Sequence, residues 1–104
     1  MLKQGRNYIR EFDLDGLRQY CKELRGNRRL NYSHAYKMLF LSACRYGTQE
    51  MIVWFVQLYF DFFAVIDQIA LRQMFFYGKY VTLKNKKVDT TWYHNFILSL
   101  FRIF

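Results

Sequence analysis

Residues 39–61, LFLSACRYGTQEMIVWFVQLYFD, constrain the fold most, because they encode two helices joined by one tight turn. The first helix ends in small residues, and Gly47 supplies the turn. Thr48 is placed to cap the second helix, and Glu50 lies in its first turn, where the helix dipole favours an acidic side chain. The second helix, at about 49–60, is apolar nearly all round, which predicts that it lies in a core or a membrane.

The length of the apolar run and one aspartate disfavour the membrane interpretation. The strongest run, 51–66, would extend ~24 Å as a helix, short of a hydrocarbon core of about 30 Å. Asp61 would lie inside it, where a carboxylate costs about 2.5–3.5 kcal/mol near the bilayer centre. We therefore expect a buried helix, and membrane association through residues 51–70 stays as an alternative.

The rest of the chain is also helical in pattern. It has 104 residues, no proline and 53% hydrophobic residues, which favours uninterrupted helices around a packed core. Further helices are predicted between Asp13 and Gly26, from about 34 to 46, from 65 to 77 with Gly78 closing it, and from about 90 to 103 with Asp89 or Thr90 as cap. Residues 1–12 are mixed and basic, so no helix is predicted there. In that segment Tyr8, Ile9 and Phe12 are expected to contact the core.

The stretch around Gly47 has weaker copies on both sides. Residues 12–17 align with 47–52, and residues 70–78 resemble the helix that precedes Gly47. A period of about 33 residues with a helix–turn–helix unit is typical of solenoid proteins. The sequence therefore predicts a short array of helical hairpins.

At residues 39–61 the chain resembles the ankyrin repeat. Residues 43–47 are similar to the end of the family's first helix, residues 50–56 are similar to its second helix, and Asp61 falls where the family usually has an aspartate. The match is fair over 13–24 and 65–83 and absent over 90–104, and the family's Thr-Pro-Leu-His start is missing.

This resemblance implies an all-α fold and a binding role. We expect one domain over 1–104, formed as a short solenoid or an irregular bundle of about three helix–turn–helix hairpins plus a C-terminal helix. The expected units are about 13–33, 34–61 and 65–88, with the last helix at about 90–103. Eroded ankyrin-like units are common in large DNA viruses and in divergent eukaryotic proteins. The chain would then be an adaptor that binds another protein.

The last helix carries a wide apolar stripe that either closes the core or docks on a partner. Its residues recur at helical spacing in adjacent pairs. A second protein, or a second copy of this chain, could cover it. The candidate partner-binding residues are Trp92, Phe96, Leu100, Phe101 and Phe104.

The net charge of +8 is concentrated on either side of a near-neutral middle. A solvated basic face explains this distribution most simply, and a nucleic-acid-binding surface is the alternative. In that alternative the basic residues of 1–30 would interleave with Tyr8 and Tyr20, which suits phosphate contact plus base stacking. The candidate anion-binding patch consists of Arg18, Lys22, Arg25, Arg28, Arg29, Lys84, Lys86 and Lys87.

No pattern in the sequence predicts catalysis, a cofactor or a metal site. His34, His94, Cys21 and Cys44 are the only soft ligands, and none has the short spacing that zinc sites use. The five glycines are isolated, unlike those of a phosphate-binding loop. Both cysteines lie on apolar helical faces, which predicts free core thiols in a reducing compartment. We therefore expect a non-enzymatic, intracellular protein, cytoplasmic or nuclear.

Overall fold

The computed structural model describes residues 2–27, 29, 32–62 and 68–102, with side chains outside the description at 32–33, 59–62, 68–72 and 101–102. Every regular element in these ranges is a helix, so the predicted all-α fold is confirmed. The helices are α1 (Lys3–Arg10), α2 (Leu14–Arg25), α3 (Tyr32–Tyr46), α4 (Gln49–Phe62), α5 (Gln68–Thr82) and α6 (Thr90–Arg102).

The helices pack in consecutive pairs around α3. Among the described residues, α1 packs against α2, α3 against α4, and α5 against α6. Helix α3 also packs closely against α1 on one side and α5 on the other. Helices α2 and α4 do not pack closely against each other in the described ranges. The odd-numbered helices therefore form a row with α3 in its centre.

The three turns within these pairs lie at the same end of the molecule. The Nζ atom of Lys87, between α5 and α6, lies 4.5 Å from the ring centroid of Phe12, between α1 and α2. The side-chain amide of Asn85 donates hydrogen bonds to the carbonyls of Cys44 and Gly47 at 3.0 and 2.9 Å. Asn85 thus satisfies carbonyls at the end of α3 that have no partner within the helix.

The predicted helix caps at three turns are confirmed. The side chains of Asp13, Thr48 and Asp89 each accept a hydrogen bond from a backbone N–H in the first turn of α2, α4 and α6, at 2.9, 3.3 and 2.8 Å. Helix α2 ends immediately before Gly26, and α3 ends immediately before Gly47, as expected. Local side-chain chemistry therefore determines where α2, α4 and α6 begin.

Helix α1 was not predicted, and Phe12 was wrongly expected to contact the core. Gly5 and Ile9 are buried on one face of α1, whereas Phe12 is exposed. Phe12 has a φ of 59°, and its N–H donates to the carbonyl of Ile9 while that of Asp13 donates to the carbonyl of Tyr8. This is the Schellman arrangement that ends many helices, with phenylalanine where glycine is usual.

Gly78 does not close the third apolar segment, contrary to the prediction. Helix α5 continues through it to Thr82, and no glycine in the described ranges has a positive φ. A Cβ at position 78 would overlap the hydroxyl of Tyr93 and lie 3.2 Å from the Sγ of Cys44. Gly78 is therefore required by the close approach of α6 to α5, and not by a helix end.

The core runs along α3 and its neighbours and is rich in aromatic side chains. Phe40 of α3 makes edge-to-face contacts with Phe55 of α4 and Phe75 of α5, at centroid distances of 6.3 and 5.4 Å. The hydroxyl of Tyr36 donates to the carbonyl of Phe55, and that of Tyr93 donates to the carbonyl of Phe75 at 2.6 Å. These contacts fix α4 and α5 against the central helix and fix α6 against α5.

The membrane alternative concerned the apolar stretch that contains α4. Within the described ranges, no helix is both long enough and apolar enough to cross a bilayer. The part of that stretch at 63–67 lies outside the described residues.

Candidate functional site

An open groove of the described surface crosses the row of odd-numbered helices. It has a volume of about 560 Å³ and is called the tyrosine groove below. Its floor consists of partly buried Met38, Leu41, Ser42 and Val81, and its rim consists of Arg6, Arg10, Arg45, Tyr46, Tyr77, Tyr80 and Lys84. Helix α3 supplies most of the floor, because it lies between α1 and α5.

Helical spacing explains how each wall of the groove is built. On α1, Arg6 and Arg10 are four residues apart and project from one face. On α5, Tyr77 and Tyr80 are three residues apart, and Lys84 follows one turn later in the loop. The floor stays open because Ser42 is small, and its hydroxyl donates back to the carbonyl of Met38 at 3.0 Å. Side chains that are far apart in sequence thus line one surface.

The rim of the tyrosine groove is cationic. Four of its lining residues are arginine or lysine, and none of the described lining residues is acidic. The guanidinium carbon of Arg10 lies 4.7 Å from the ring centroid of Tyr46, and that of Arg45 lies 5.8 Å from it. Such cation–π contacts contribute about 0.5–1 kcal/mol each at exposed sites and hold the cations at the groove edge.

Two tyrosines of the rim are exposed far more than their size would suggest. Tyr77 is 56% exposed and Tyr80 is 67% exposed. Large aromatic side chains lose apolar contact when they stand in water, so adjacent exposed rings mark a surface suited to a partner. The groove therefore combines aromatic faces, cations and an apolar floor in one site.

A second cavity lies between α2 and α4 and has a volume of about 400 Å³. It is called the tryptophan cleft below. Half-buried Trp54 and Leu58 of α4 form its apolar side together with buried Cys21 of α2. The opposite side consists of polar residues of α2, which are Asp15, Arg18, Gln19, Lys22 and Arg25.

Comparison with family models, with curated proteins and with solved structures gave no match to this chain. The resemblance to ankyrin repeats therefore stays a prediction that rests on the residues of 39–61 and their copies.

Four of the eight residues of the candidate anion-binding patch line these two cavities. Arg18, Lys22 and Arg25 line the tryptophan cleft, whereas Lys84 lines the tyrosine groove. Lys87 lies over the ring of Phe12. The remaining members are exposed Arg29 and Lys86, and Arg28, which lies outside the described residues.

The two tyrosines that were expected to interleave with the N-terminal cations lie elsewhere. The rings of Tyr8 and Tyr20 pack against each other at a centroid distance of 6.2 Å. Tyr20 is buried, and Tyr8 is half-buried and accepts a hydrogen bond from Gln4. Burial therefore leaves Tyr20 little surface for a base, whereas Tyr8 keeps part of its surface exposed.

The candidate partner-binding stripe of α6 lies partly against the core. Trp92, Phe96 and Leu100 are half-buried, and the rings of Trp92 and Phe96 stack at 5.2 Å. Tyr93 and Ile97, between them in sequence, are fully buried. The side chains of Phe101 and Phe104 lie outside the described residues.

Arg45, Tyr46, Tyr77 and Tyr80 line the groove but were not predicted as site residues. The available signal was a tyrosine pair three residues apart followed by a lysine, together with an adjacent arginine and tyrosine at the end of α3. No pattern in the sequence indicates that α1, α3 and α5 lie side by side. The groove is a consequence of that packing.

The described part of the chain holds no cluster of histidine, cysteine and acidic side chains that could bind a metal ion. Both thiols are free and buried. Burial raises the pKa of Cys21 and of Cys44 to about 12, and a hydrogen bond with Tyr93 lowers that of Cys44 slightly. Burial also raises the pKa of Tyr93. Neither thiol is a candidate nucleophile, because the thiolate is the reactive form.

These thiols are expected to make the protein less stable at alkaline pH. The raised folded-state pKa means that their contribution is complete below the ordinary thiol pKa of 9.0 and is lost as pH rises towards about 12. Each thiol should remove up to about 1.4 kcal/mol of unfolding free energy per pH unit in that window. Urea unfolding at about pH 8 and about pH 10 measures this slope, and Cys44→Ala should reduce it. An unchanged slope in that variant would contradict the assignment.

Proposed function

We propose that this chain is a non-enzymatic binding module of ankyrin-like helical hairpins that holds an acidic segment of another protein in the tyrosine groove. The observation that carries the proposal is the composition of the rim, where arginine, lysine and tyrosine side chains surround a largely apolar floor. Tyrosine and arginine are enriched among the side chains that dominate the binding energy of protein interfaces.

The chemistry of the partner follows from the two parts of the groove. Its four cations and lack of acidic lining residues favour a partner with carboxylate side chains. The floor of Met38, Leu41 and Val81 favours aliphatic or aromatic side chains between those carboxylates. An extended or helical peptide that presents both kinds of side chain satisfies rim and floor together.

The packing of the helices is consistent with the hairpin part of the proposal. Consecutive helices pair, and the first helix of each pair packs against the first helix of the next. Hairpin arrays commonly bind partners on a surface formed by equivalent helices of successive units. An adaptor of the kind found in large DNA viruses or divergent eukaryotes, in the cytoplasm or nucleus, fits this proposal, and the two free buried thiols suit a reducing compartment.

A display selection of random linear peptides on the folded chain tests the proposal. The enriched peptides should carry Asp or Glu next to aromatic or aliphatic residues. The double variant Tyr77→Ala/Tyr80→Ala should weaken a selected peptide by at least about thirtyfold, since a single ring is expected to contribute about 2 kcal/mol. Both side chains are exposed, so the variant should keep its fold.

Leu83→Ala is the matched control, because Leu83 is equally exposed and adjacent in sequence but does not line the groove. It should leave the affinity unchanged. Selected peptides without acidic residues, or equal effects of the two variants, would overturn the proposal.

A second candidate function uses the same groove for single-stranded nucleic acid. The exposed rings of Tyr77 and Tyr80 favour it, because bases stack on such rings while nearby cations contact phosphates. Binding of an oligothymidylate should then weaken with salt, with a log–log slope of about −0.7 for each phosphate contacted. If oligothymidylate binds tightly, the Tyr77→Ala/Tyr80→Ala variant loses this binding, and no peptide is enriched, the partner of the groove is a nucleic acid and not a protein.

A further inference from the structure

In the tryptophan cleft, unlike the tyrosine groove, the apolar and the cationic side chains lie on opposite sides. The apolar side belongs to α4, where Trp54 and Leu58 are four residues apart and half-buried. The cationic side belongs to α2, where Arg18, Lys22 and Arg25 follow one another at helical spacing and are exposed. A ligand in this cleft would meet apolar surface on one side and positive charge on the other.

The cleft remains open because the two helices that form it do not pack closely together. Helix α2 packs mainly on α1, and α4 packs mainly on α3. The apolar edge of Trp54 is therefore left partly in water, although its ring also contacts Phe55 at a centroid distance of 5.0 Å. An apolar ligand body would cover surface that no described residue covers.

The described lining of the cleft carries more basic than acidic side chains. Asp15 is the one acidic residue among its described lining residues, and its carboxylate lies 3.6 Å from the guanidinium of Arg18. Lys22 and Arg25 add two further positive charges along the same edge. Their arrangement on one helix places an anionic group at the mouth and leaves the floor for an uncharged body.

The volume of the tryptophan cleft is large enough for a small molecule. About 400 Å³ lies within the range of ~300–1,000 Å³ that is typical of small-molecule sites. The dimensions and the polarity together describe a small molecule with an anionic head and an apolar chain.

We propose that the tryptophan cleft binds a free, long-chain carboxylate. The carboxylate head lies against Arg18, Lys22 and Arg25, and the methylene chain lies on Trp54 and Leu58. This site shares no lining residue with the tyrosine groove, so the proposal is independent of the function proposed for that groove.

The variant Trp92→Phe provides a direct readout, because it leaves Trp54 as the only tryptophan. Titration of dodecanoate below its micelle concentration should shift the Trp54 emission to shorter wavelength and saturate at one equivalent. Octanoate, decanoate and dodecanoate should differ by up to about fourfold in affinity for each added methylene, until the chain fills the cleft. Calorimetric titration of the unaltered chain gives the same answer if the variant does not fold.

Two matched sets of variants separate this site from the general attraction of a basic protein for anions. Arg18→Gln/Lys22→Gln/Arg25→Gln should weaken dodecanoate by at least about tenfold. Arg6→Gln/Arg10→Gln/Lys84→Gln removes the same charge from the tyrosine groove and should have no effect. Dodecyltrimethylammonium, which has the same chain and a cationic head, should not bind.

Three results would overturn the proposal. The first is an equal response to the ammonium compound, and the second is an equal effect of the two triple variants. The third is a Trp54 shift that occurs with anionic lipid vesicles but not with monomeric dodecanoate, which would assign the cleft to a membrane surface.

Discussion

Replacing Asn85 by alanine should lower the free energy of unfolding by about 2–4 kcal/mol. Asn85 is buried, and its amide joins the loop after α5 to the carbonyls of Cys44 and Gly47. Its Oδ1 also accepts a hydrogen bond from the N–H of Lys87 at 3.1 Å. Alanine removes all three bonds and leaves buried carbonyls without a partner. For a domain of this size the melting temperature should fall by roughly 10–30 °C.

Asn85→Asp tests whether the donor atoms of the amide matter. The change replaces an NH₂ group by an oxygen that faces two carbonyl oxygens, so it should destabilise more than alanine near neutral pH. The loss should become smaller at acidic pH, because a protonated carboxyl group can donate one hydrogen bond. Urea unfolding followed by circular dichroism measures both effects.

Asn95→Ala and Asn95→Asp are the matched controls. Asn95 is the same residue type, but it is exposed on α6. Both changes there should alter the free energy of unfolding by less than about 0.5 kcal/mol. If Asn85→Ala behaved like Asn95→Ala, the loop after α5 would not be held to α3 by this side chain.

The sequence predicts the helix boundaries well where a side chain itself forms the cap. Asp13, Thr48 and Asp89 can be recognised because each satisfies an N–H within its own first turn, which is a local interaction. Cys21 and Cys44 are predicted as core residues because both recur on apolar faces at helical spacing. These interactions depend only on near neighbours in the chain.

Helix α1 was not predicted because its sequence has neither a continuous apolar face nor a recognisable stop signal. Only Ile9 among its side chains is both apolar and fully buried, and Gly5 provides the other buried contact by being small. A Cβ at position 5 would collide with the ring of Tyr20. The helix ends at Phe12 in a conformation that usually requires glycine, so the sequence shows no stop signal. Its existence depends on contacts with α2 and α3.

Neither cavity could be predicted from the sequence. Each requires knowledge of which helices are neighbours and how closely they approach. Lys84 and Arg18 were assigned to one patch because both are basic, yet they line different cavities. Charge composition predicts the sign of a ligand, whereas the packing of helices determines where that charge is concentrated.

Gly78→Ala should destabilise the protein by about 2–4 kcal/mol, although alanine is the better helix former by about 1 kcal/mol. The new methyl group would overlap the hydroxyl of Tyr93, which is fully buried and bonded to the carbonyl of Phe75. Overpacking costs about 1–3 kcal/mol, and displacing a buried hydroxyl from its partner costs a similar amount. Urea unfolding measures the change.

Tyr93→Phe removes the hydroxyl that the methyl group of Gly78→Ala would overlap, so it should reduce the destabilisation caused by Gly78→Ala. Alone it should cost about 0.5–1.5 kcal/mol through the lost hydrogen bond. In that background Gly78→Ala should be close to neutral, because the remaining contacts at 3.1 Å to Cζ of residue 93 and 3.2 Å to Sγ of Cys44 are tight but not overlapping. The double-mutant cycle should therefore give a coupling energy of about 2–4 kcal/mol. Additive effects would show that Gly78 is not required by the hydroxyl.

The same pair of residues links stability to the tyrosine groove. Because Gly78 accommodates Tyr93, α5 can continue for one more turn while α6 packs on it. That turn carries Tyr80 and leads to Lys84, which form one wall of the groove. If the helix ended at Gly78, as its sequence suggests, this wall would be absent. Gly78→Ala should therefore weaken groove binding even at temperatures where the variant is folded, and Gly78→Ala/Tyr93→Phe should restore it.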